Sequence, residues 1–313
     1  MRILVAVDSL DVADLALQHF RLRPWPAGST VEVLCVVDTA DLSNVPQLIE
    51  DLTEHGEELA HYTARKIEEL GIPALGMVLS GHPKHVIVDH AEEIGADLIL
   101  IGSHEQMERR RFLLGRVAKA VLRAAPCSIE VLRAPVEPWK TLRPLKVLLA
   151  TDGSDCSLLA ARSIANRPWP AGTEVRTLSV VEPEASLLYV PFPPGAAETL
   201  RAQAMRRTQK AIQEAEEIVT EAGLRASETI SVLLMEPESI IATAAGEWKA
   251  DLIVLGSHGR RGFNRLLLGS VSEAVALHAG CSVEVVRATP VRSNVESPEQ
   301  AEAPNRLPAL AHS

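Results

Sequence analysis

Gly256-Ser-His-Gly259-Arg-Arg-Gly262-Phe-Asn-Arg265-Leu-Leu-Leu-Gly269-Ser270-Val271 follows directly on the apolar run Asp251-Leu-Ile-Val-Leu255. A short apolar run closed by glycine reads as a buried strand. The glycines after it let the backbone turn and approach a ligand with no Cβ in the way. Gly269 and Ser270 stand where the next helix begins, and there unpaired N–H groups and the positive dipole end attract anions. A phosphate chain between Gly259 and Ser270 gains several charge-assisted hydrogen bonds, each worth roughly 1.5–3 kcal/mol. Arg260, Arg261 and Arg265 add local positive charge. The stretch therefore reads as a phosphate cradle at the carboxyl end of a strand.

Working outward, the same pattern occurs twice. Ala96-Asp-Leu-Ile-Leu-Ile-Gly102-Ser-His104 returns as Ala250-Asp-Leu-Ile-Val-Leu-Gly256-Ser-His258, and Cys127-Ser-Ile-Glu-Val as Cys281-Ser-Val-Glu-Val, both 154 positions on. Arg23-Pro-Trp-Pro-Ala-Gly28 recurs unchanged at 167–172, only 144 positions on, and Asp8 maps to Asp152 at that offset. Ten residues are thus added in the second copy. The proline-rich stretch 183–197 is the natural place for them. Copies of this length are tandem domains, since solenoid repeats run to about 20–50 residues. The expected units are 1–134, a linker 135–144, a second domain 145–288 and a disordered tail 289–313 rich in Pro, Glu, Ala and Ser.

Each copy alternates strand-like and helix-like patterns. In the second, strands are expected at Lys146–Ala150, Val175–Val181, Glu228–Leu234, Asp251–Leu255 and Ser282–Val286. Helices are expected from a Ser154 cap to about Asn166, from about Ala196 to Ala222, and near 238–248 and 270–279. Such alternation implies a parallel sheet with helices on both faces. With right-handed crossovers, the expected fold class is α/β: two tandem doubly wound five-stranded parallel-sheet domains, Rossmann-like. The apolar last strands, Cys127–Leu132 and Cys281–Val286, should lie at sheet edges, and joining them gives an internal pseudo-twofold dimer.

Composition narrows the function. Of 313 residues, 47% are hydrophobic but only 3% aromatic, which disfavours a stacking platform for single-stranded nucleic acid. A formal charge of −10 removes nucleic acid and membrane as default partners. The four cysteines form no Cys-x-x-Cys pair, and no apolar run approaches the roughly 18 residues of a membrane span. With no signal-peptide pattern at the start, a soluble cytoplasmic protein is expected. A Rossmann fingerprint would follow the first strand, where Thr151-Asp-Gly-Ser-Asp-Cys-Ser157 stands instead, and no Walker Gly-Lys-Ser/Thr occurs. The 151–157 segment faintly resembles the pyrophosphate loop of adenylating ligases, but Asp152 stands where that loop needs glycine.

The spacing Gly256-x₂-Gly259-x₉-Gly269-Ser270, with Asp152-Gly153-Ser154 upstream, resembles the ATP-binding form of the universal stress proteins. The resemblance covers about 1–134 and 145–288. It implies ATP, alone or with Mg²⁺, in the second domain. Asp152 would contact the adenosine part, Val180 or Val181 would offer backbone to adenine, and Thr151 is counted with the nucleotide-binding residues. Gly256 and Gly259 would line ribose and phosphates, Gly269, Ser270 and Val271 would bind phosphate, and His258 is counted with the nucleotide-binding residues. His258 recurs as His104 in the other copy, which also favours a structural role in the loop. One departure is Met235-Glu-Pro237, where Gly81-His-Pro83 of the first copy is closer to the family pattern.

In the first copy Glu105 replaces the second glycine, Arg116 replaces the serine, and Asp8 is followed by Ser9 and Leu10. A carboxylate about 4 Å from a phosphate costs roughly 4 kcal/mol at an effective dielectric of 20. The first domain is therefore expected not to bind ATP, with Glu105 and Arg116 pairing in the vacated site. No catalytic base or nucleophile and no metal site emerge; His82, His85 and His90 are expected to be solvated. Cys127 and Cys281 read as small buried hydrophobes, and Trp25 and Trp169 as packing under the sheet edge. Two functions remain: an ATP-dependent stress-response regulator acting on an unidentified protein partner, or a nucleotide-free assembly module, with slow ATP turnover as a variant of the first. Further pairing into a homodimer of chains is left open.

Overall fold

The structure is a computed structural model, described over residues 1–40, 44–103, 114–134, 143–181, 195–232, 236–259 and 268–288, with backbone alone for 197 and 228–232. The first half runs β1 (Arg2–Val7), α1 (Leu10–Leu22), β2 (Thr30–Val37), α2 (Pro46–Glu68), β3 (Ala74–Ser80), α3 (Pro83–Glu93), β4 (Leu98–Gly102), α4 (Arg116–Ala124) and β5 (Ser128–Leu132). The second runs β6 (Lys146–Ala150), α5 (Asp155–Ala165), β7 (Glu174–Val181), α6 (Ala196–Glu221), β8 (Arg225–Val232), α7 (Pro237–Trp248), β9 (Leu252–Gly256), α8 (Ser270–His278) and β10 (Ser282–Val286).

Central strands such as β4 (LILIG), β6 (KVLLA) and β9 (LIVLG) are near-continuous apolar runs because helices cover both their faces. Ser154 caps α5, its Oγ accepting from the Ser157 N–H, and Ser9 does the same for α1 toward Val12. The third strand of the second half starts three residues before its expected start. It pairs with β7 from Glu174↔Arg225 onward, and the polar letters Arg225–Glu228 of this edge strand hide its beginning from an apolar-run reading.

The two five-stranded sheets expected from the sequence are halves of one ten-stranded sheet, in the order β3-β2-β1-β4-β5-β10-β9-β6-β7-β8. Every pairing within a half is parallel, and β5 meets β10 antiparallel at the seam. Mutual pairing satisfies the two edges that either half alone would leave open. One core cluster runs across this seam, from Leu4 and Ile99 through Ile129 and Val283 to Leu148 and Ile253.

At the seam the register sets Glu130 opposite Glu284, both fully buried. Each is met by the arginine of its own half's Arg-Pro-Trp-Pro segment. Arg23 bonds Glu130, with His19 Nδ1 at 3.2 Å; Arg167 makes two bonds of 2.6 Å to Glu284, with Ser163 at 3.3 Å. Burial works against the Glu130 charge, but Arg23 and His19 outweigh it and hold its carboxyl well below the usual carboxylate range. The arginine recurs, then, because each copy buries a glutamate in its last strand.

Two smaller expectations change. Trp25 sits beside the seam, its ring 4.4 Å from the Arg23 guanidinium and 4.9 Å from Phe20, and Trp169 donates to the Ile164 carbonyl. The half-sheet edge they pack near is internal to the whole sheet. His90 is buried, its Nε2 2.9 Å from Glu32, so it is not solvated as expected; α3 turns it inward toward β2. His82 and His85 stack edge-on at 5.5 Å. Desolvation pushes the Cys127 and Cys281 thiols up to about 12; Cys127 is buried as expected, whereas Cys281 is only partly buried.

Candidate functional site

Strand order in the second half reverses between β6 and β9, which lie side by side with the chain leaving them in opposite directions. Ligands of such sheets settle outside the carboxyl ends at this point. Asp152 follows β6, and Gly256 ends β9.

The loop after β6 is held by its own hydrogen bonds. Thr151 Oγ1 donates to Ser157 Oγ (3.0 Å) and accepts from the Gly153 N–H (3.3 Å), while Asp152 Oδ1 accepts from the Ser154 N–H (3.0 Å). Gly153 has φ +75°, a left-handed conformation that favours glycine. The loop after β9 returns on itself: the Gly269 N–H donates to Ser257 O (2.7 Å), and Ser272 Oγ donates to Gly256 O (2.7 Å). These bonds fix the start of α8 beside the end of β9. Unlike α1 and α5, α8 has no side-chain cap on its first turn. Its unpaired N–H groups and dipole therefore remain for a ligand.

Between these loops lies a cavity of about 600 Å³. Thr151, Asp152, Val180, Gly256, His258, Gly259, Gly269, Ser270 and Val271 all line it, so the structure brings together every expected site residue except Val181. Strand alternation decides that exception: Leu178 and Val180 share the cavity face of β7, and Val181 points the other way. His258 has a second occupation, with Nδ1 2.9 Å from Ser257 Oγ and Nε2 3.4 Å from Cys156 Sγ, tying α5 to the β9 loop.

The glycines divide into two roles. A Cβ on Gly256 would stand 2.6 Å from the Cys156 carbonyl carbon, so this residue is small to admit the backbone of α5. A Cβ on Gly259 would stand 2.5 Å from Asp152 Oδ2, inside the site itself. Gly256→Ala is expected to cost about 2–3 kcal/mol, because the obstacle is backbone and no rotamer relieves it. Thermal unfolding checks this, and an unchanged midpoint would refute the packing role.

Sequence reasoning missed Ala204, Arg207 and Thr208 of α6 and Pro237 and Ile241 of α7, all on the cavity wall. Their signal was helical spacing: 204, 207 and 208 continue the buried stripe Ala211, Ile212, Ala215 of the same helix. Among the described residues, no group of three or more His, Cys, Asp or Glu is placed to hold a metal ion.

The first half keeps the frame, its Gly115 N–H donating to Ser103 O (2.9 Å) as Gly269 does to Ser257, but Arg116 opens α4 where Ser270 opens α8. His104, Glu105 and the expected Glu105–Arg116 pair, the Arg260, Arg261 and Arg265 cations, and the tail 289–313 lie outside the described residues.

Compared with known proteins, the chain matches the Universal stress protein family over residues 1–133 and again over 145–287. It is 34% identical over 145 residues to Universal stress protein MJ0531 of Methanocaldococcus jannaschii, covering 45% of this chain and 81% of that one. Universal stress protein YxiE of Bacillus subtilis is 33% identical over 145 residues, covering 42% of this chain and 98% of that protein. A solved universal stress protein from Archaeoglobus fulgidus shares the fold, with a TM-score of 0.62 at 22% identity over 91% of this chain and 98% of that one. No described helix is long and apolar enough to cross a membrane. With a family match over each half and one continuous α/β sheet built from both, the chain belongs to the universal stress protein family as a tandem two-domain member.

Proposed function

We propose that the chain is a cytoplasmic, ATP-binding stress-response regulator that holds one nucleotide, in its second half, and signals to a protein partner. The observation that carries this reading is the cavity itself. It joins Asp152 to the uncapped N-terminus of α8 and has a volume in the range of small-ligand sites. Leu178, Val180, Pro237 and Ile241 form an apolar wall suited to a purine. Asp152 is placed to accept from ribose hydroxyls. Gly259, Gly269, Ser270 and Val271 present backbone to the phosphates, and Arg207 supplies a cation at the wall. The anion is thus met by N–H groups and a local arginine in a protein whose net charge is −10. The nucleotide is ATP, with or without Mg²⁺. Its role is occupancy, because the imidazole in the pocket already serves Ser257 and Cys156.

Calorimetric titration of the whole chain with ATP is expected to give one site. Mass spectrometry of the purified protein is expected to find the nucleotide. Ser270→Arg, which copies Arg116 of the first half into the second, is expected to abolish binding by filling the helix N-terminus. Two nucleotides per chain, or unaltered affinity in Ser270→Arg, would refute the assignment to this pocket.

A further inference from the structure

We propose that the first half is a positioning platform for the nucleotide pocket of the second: across the seam it fixes helix α8, whose N-terminus is the phosphate end of that pocket, and it neutralises the carboxylate carried one turn into that helix. The inference rests on the reading of the cavity as a nucleotide site.

The contacts come from both ends of α8. Arg133, just after β5, is buried and crosses the seam. Its Nη2 donates to Ala276 O (2.5 Å) and Leu277 O (3.3 Å), its Nη1 to Cys281 O (3.3 Å), and its main-chain N–H to Ser282 Oγ (3.0 Å). Ala276 and Leu277 belong to the last turn of α8, where carbonyls lack helical partners and the dipole is negative. Burial lowers the Arg133 pKa to about 10, so it remains a cation at neutral pH. At nine residues α8 is about 13 Å long. So short a rod moves as a unit, and its far end holds Gly269, Ser270 and Val271 against the cavity.

Glu273 stands one turn in from that end. Left alone, its carboxylate would repel a bound phosphate. Arg123 of α4 meets it with two bonds (Nε 3.0 Å, Nη2 2.6 Å), and Lys119 Nζ lies at 3.8 Å. Lys119 is the fourth residue of α4 and Glu273 the fourth of α8, so equivalent positions of the two copies carry opposite charge. Symmetry completes the arrangement. Arg287, just after β10, donates to Leu122 O (2.8 Å) and Arg123 O (3.1 Å), holding the last turn of α4 and with it the arginine that serves Glu273. Each half thus caps the last helix of the other. By linkage, whatever displaces α4 changes nucleotide affinity, and the nucleotide opposes that displacement equally.

The test is a titration of the whole chain with ATP and with adenosine, which has no phosphate to repel. In Lys119→Gln/Arg123→Gln, ATP affinity is expected to fall about two- to fivefold at low salt, the size of a charge effect at a helix N-terminus. Adenosine affinity is expected to stay unchanged, and the ATP loss to shrink at 0.5 M salt. In a Glu273→Gln background the same two substitutions are expected to have no effect. Arg133→Lys keeps the charge but cannot fork over three carbonyls, and is expected to lower the ATP-to-adenosine affinity ratio. Because Arg133 is buried, the more accessible Lys119–Arg123–Glu273 set decides the matter if that variant does not fold. An unchanged ATP affinity, an equal loss for adenosine, or a loss persisting with Gln at 273 would overturn the proposal while leaving the pocket intact. A wild-type chain that binds no ATP would instead remove the pocket reading, and the platform with it.

Discussion

Glu130→Leu is expected to destabilise the chain by about 3–5 kcal/mol, the usual cost of removing one partner of a buried ion pair. The substitution changes little volume, so the loss is electrostatic. Arg23 is left charged and 5% exposed, with its counter-ion gone from the middle of the sheet. Glu284 does not replace it, because Arg167 and Ser163 already engage both its oxygens. The companion variant Arg23→Met/Glu130→Leu removes both charges and is expected to recover most of the loss, as apolar replacements of buried pairs commonly do. Urea unfolding followed by tryptophan fluorescence reads both, since Trp25 lies against Arg23. A double variant as unstable as the single one would refute the ion-pair account.

The same pair sets an acid limit. The Glu130 carboxyl is held below its unfolded value by Arg23 and His19 against the opposing effect of burial. Its contribution is therefore fully present above the ordinary carboxylate pKa of about 4.3. It is lost as pH falls through the lower folded value. The difference in stability between wild type and Glu130→Leu is expected to narrow as pH falls below about 4.3. A difference that stays constant into the acid range would contradict it.

Much of this architecture was legible, and the illegible part has a physical reason. The strand Ser282–Val286 and the cap at Ser154 were readable because apolar runs and capping hydroxyls act over neighbouring residues. Most of the cavity lining was readable for the same reason, as a strand, a glycine loop and a helix start follow one another in the chain. Glu130 was different. It appears as one charged letter inside an apolar strand, and its partner Arg23 lies 107 residues away. The clue was that both members recur together in the second copy, as Arg167 and Glu284. Arg207 was hidden because its direction depends on how α6 is rotated, which Ala211, Ile212, Ala215 and Val219 decide by packing. The capping arginines Arg133 and Arg287 reach helices of the opposite half, and no local pattern announces that.

Gly259→Glu is expected to abolish ATP binding while leaving the fold in place. The substitution writes into the second half the residue that the first half carries as Glu105. Its first effect is steric, since the new Cβ falls 2.5 Å from Asp152 Oδ2 and the aspartate must move. That aspartate accepts from the Ser154 N–H at the entry to α5, so its displacement also disturbs the wall expected to hold the ribose. The second effect is charge. A carboxylate about 4 Å from a phosphate costs roughly 4 kcal/mol at an effective dielectric of 20. At 1.4 kcal/mol per decade this is about a thousandfold in affinity. Gly259→Ala separates the two, because it brings the Cβ without the charge and is expected to retain weak binding. Circular dichroism should show both variants folded, with thermal midpoints near wild type, since residue 259 lies in a surface loop of the pocket mouth. If Gly259→Glu bound ATP as the wild type does, the phosphates would have to lie elsewhere than between Gly259 and Ser270, and the divergence of the two halves at this position would carry no functional meaning.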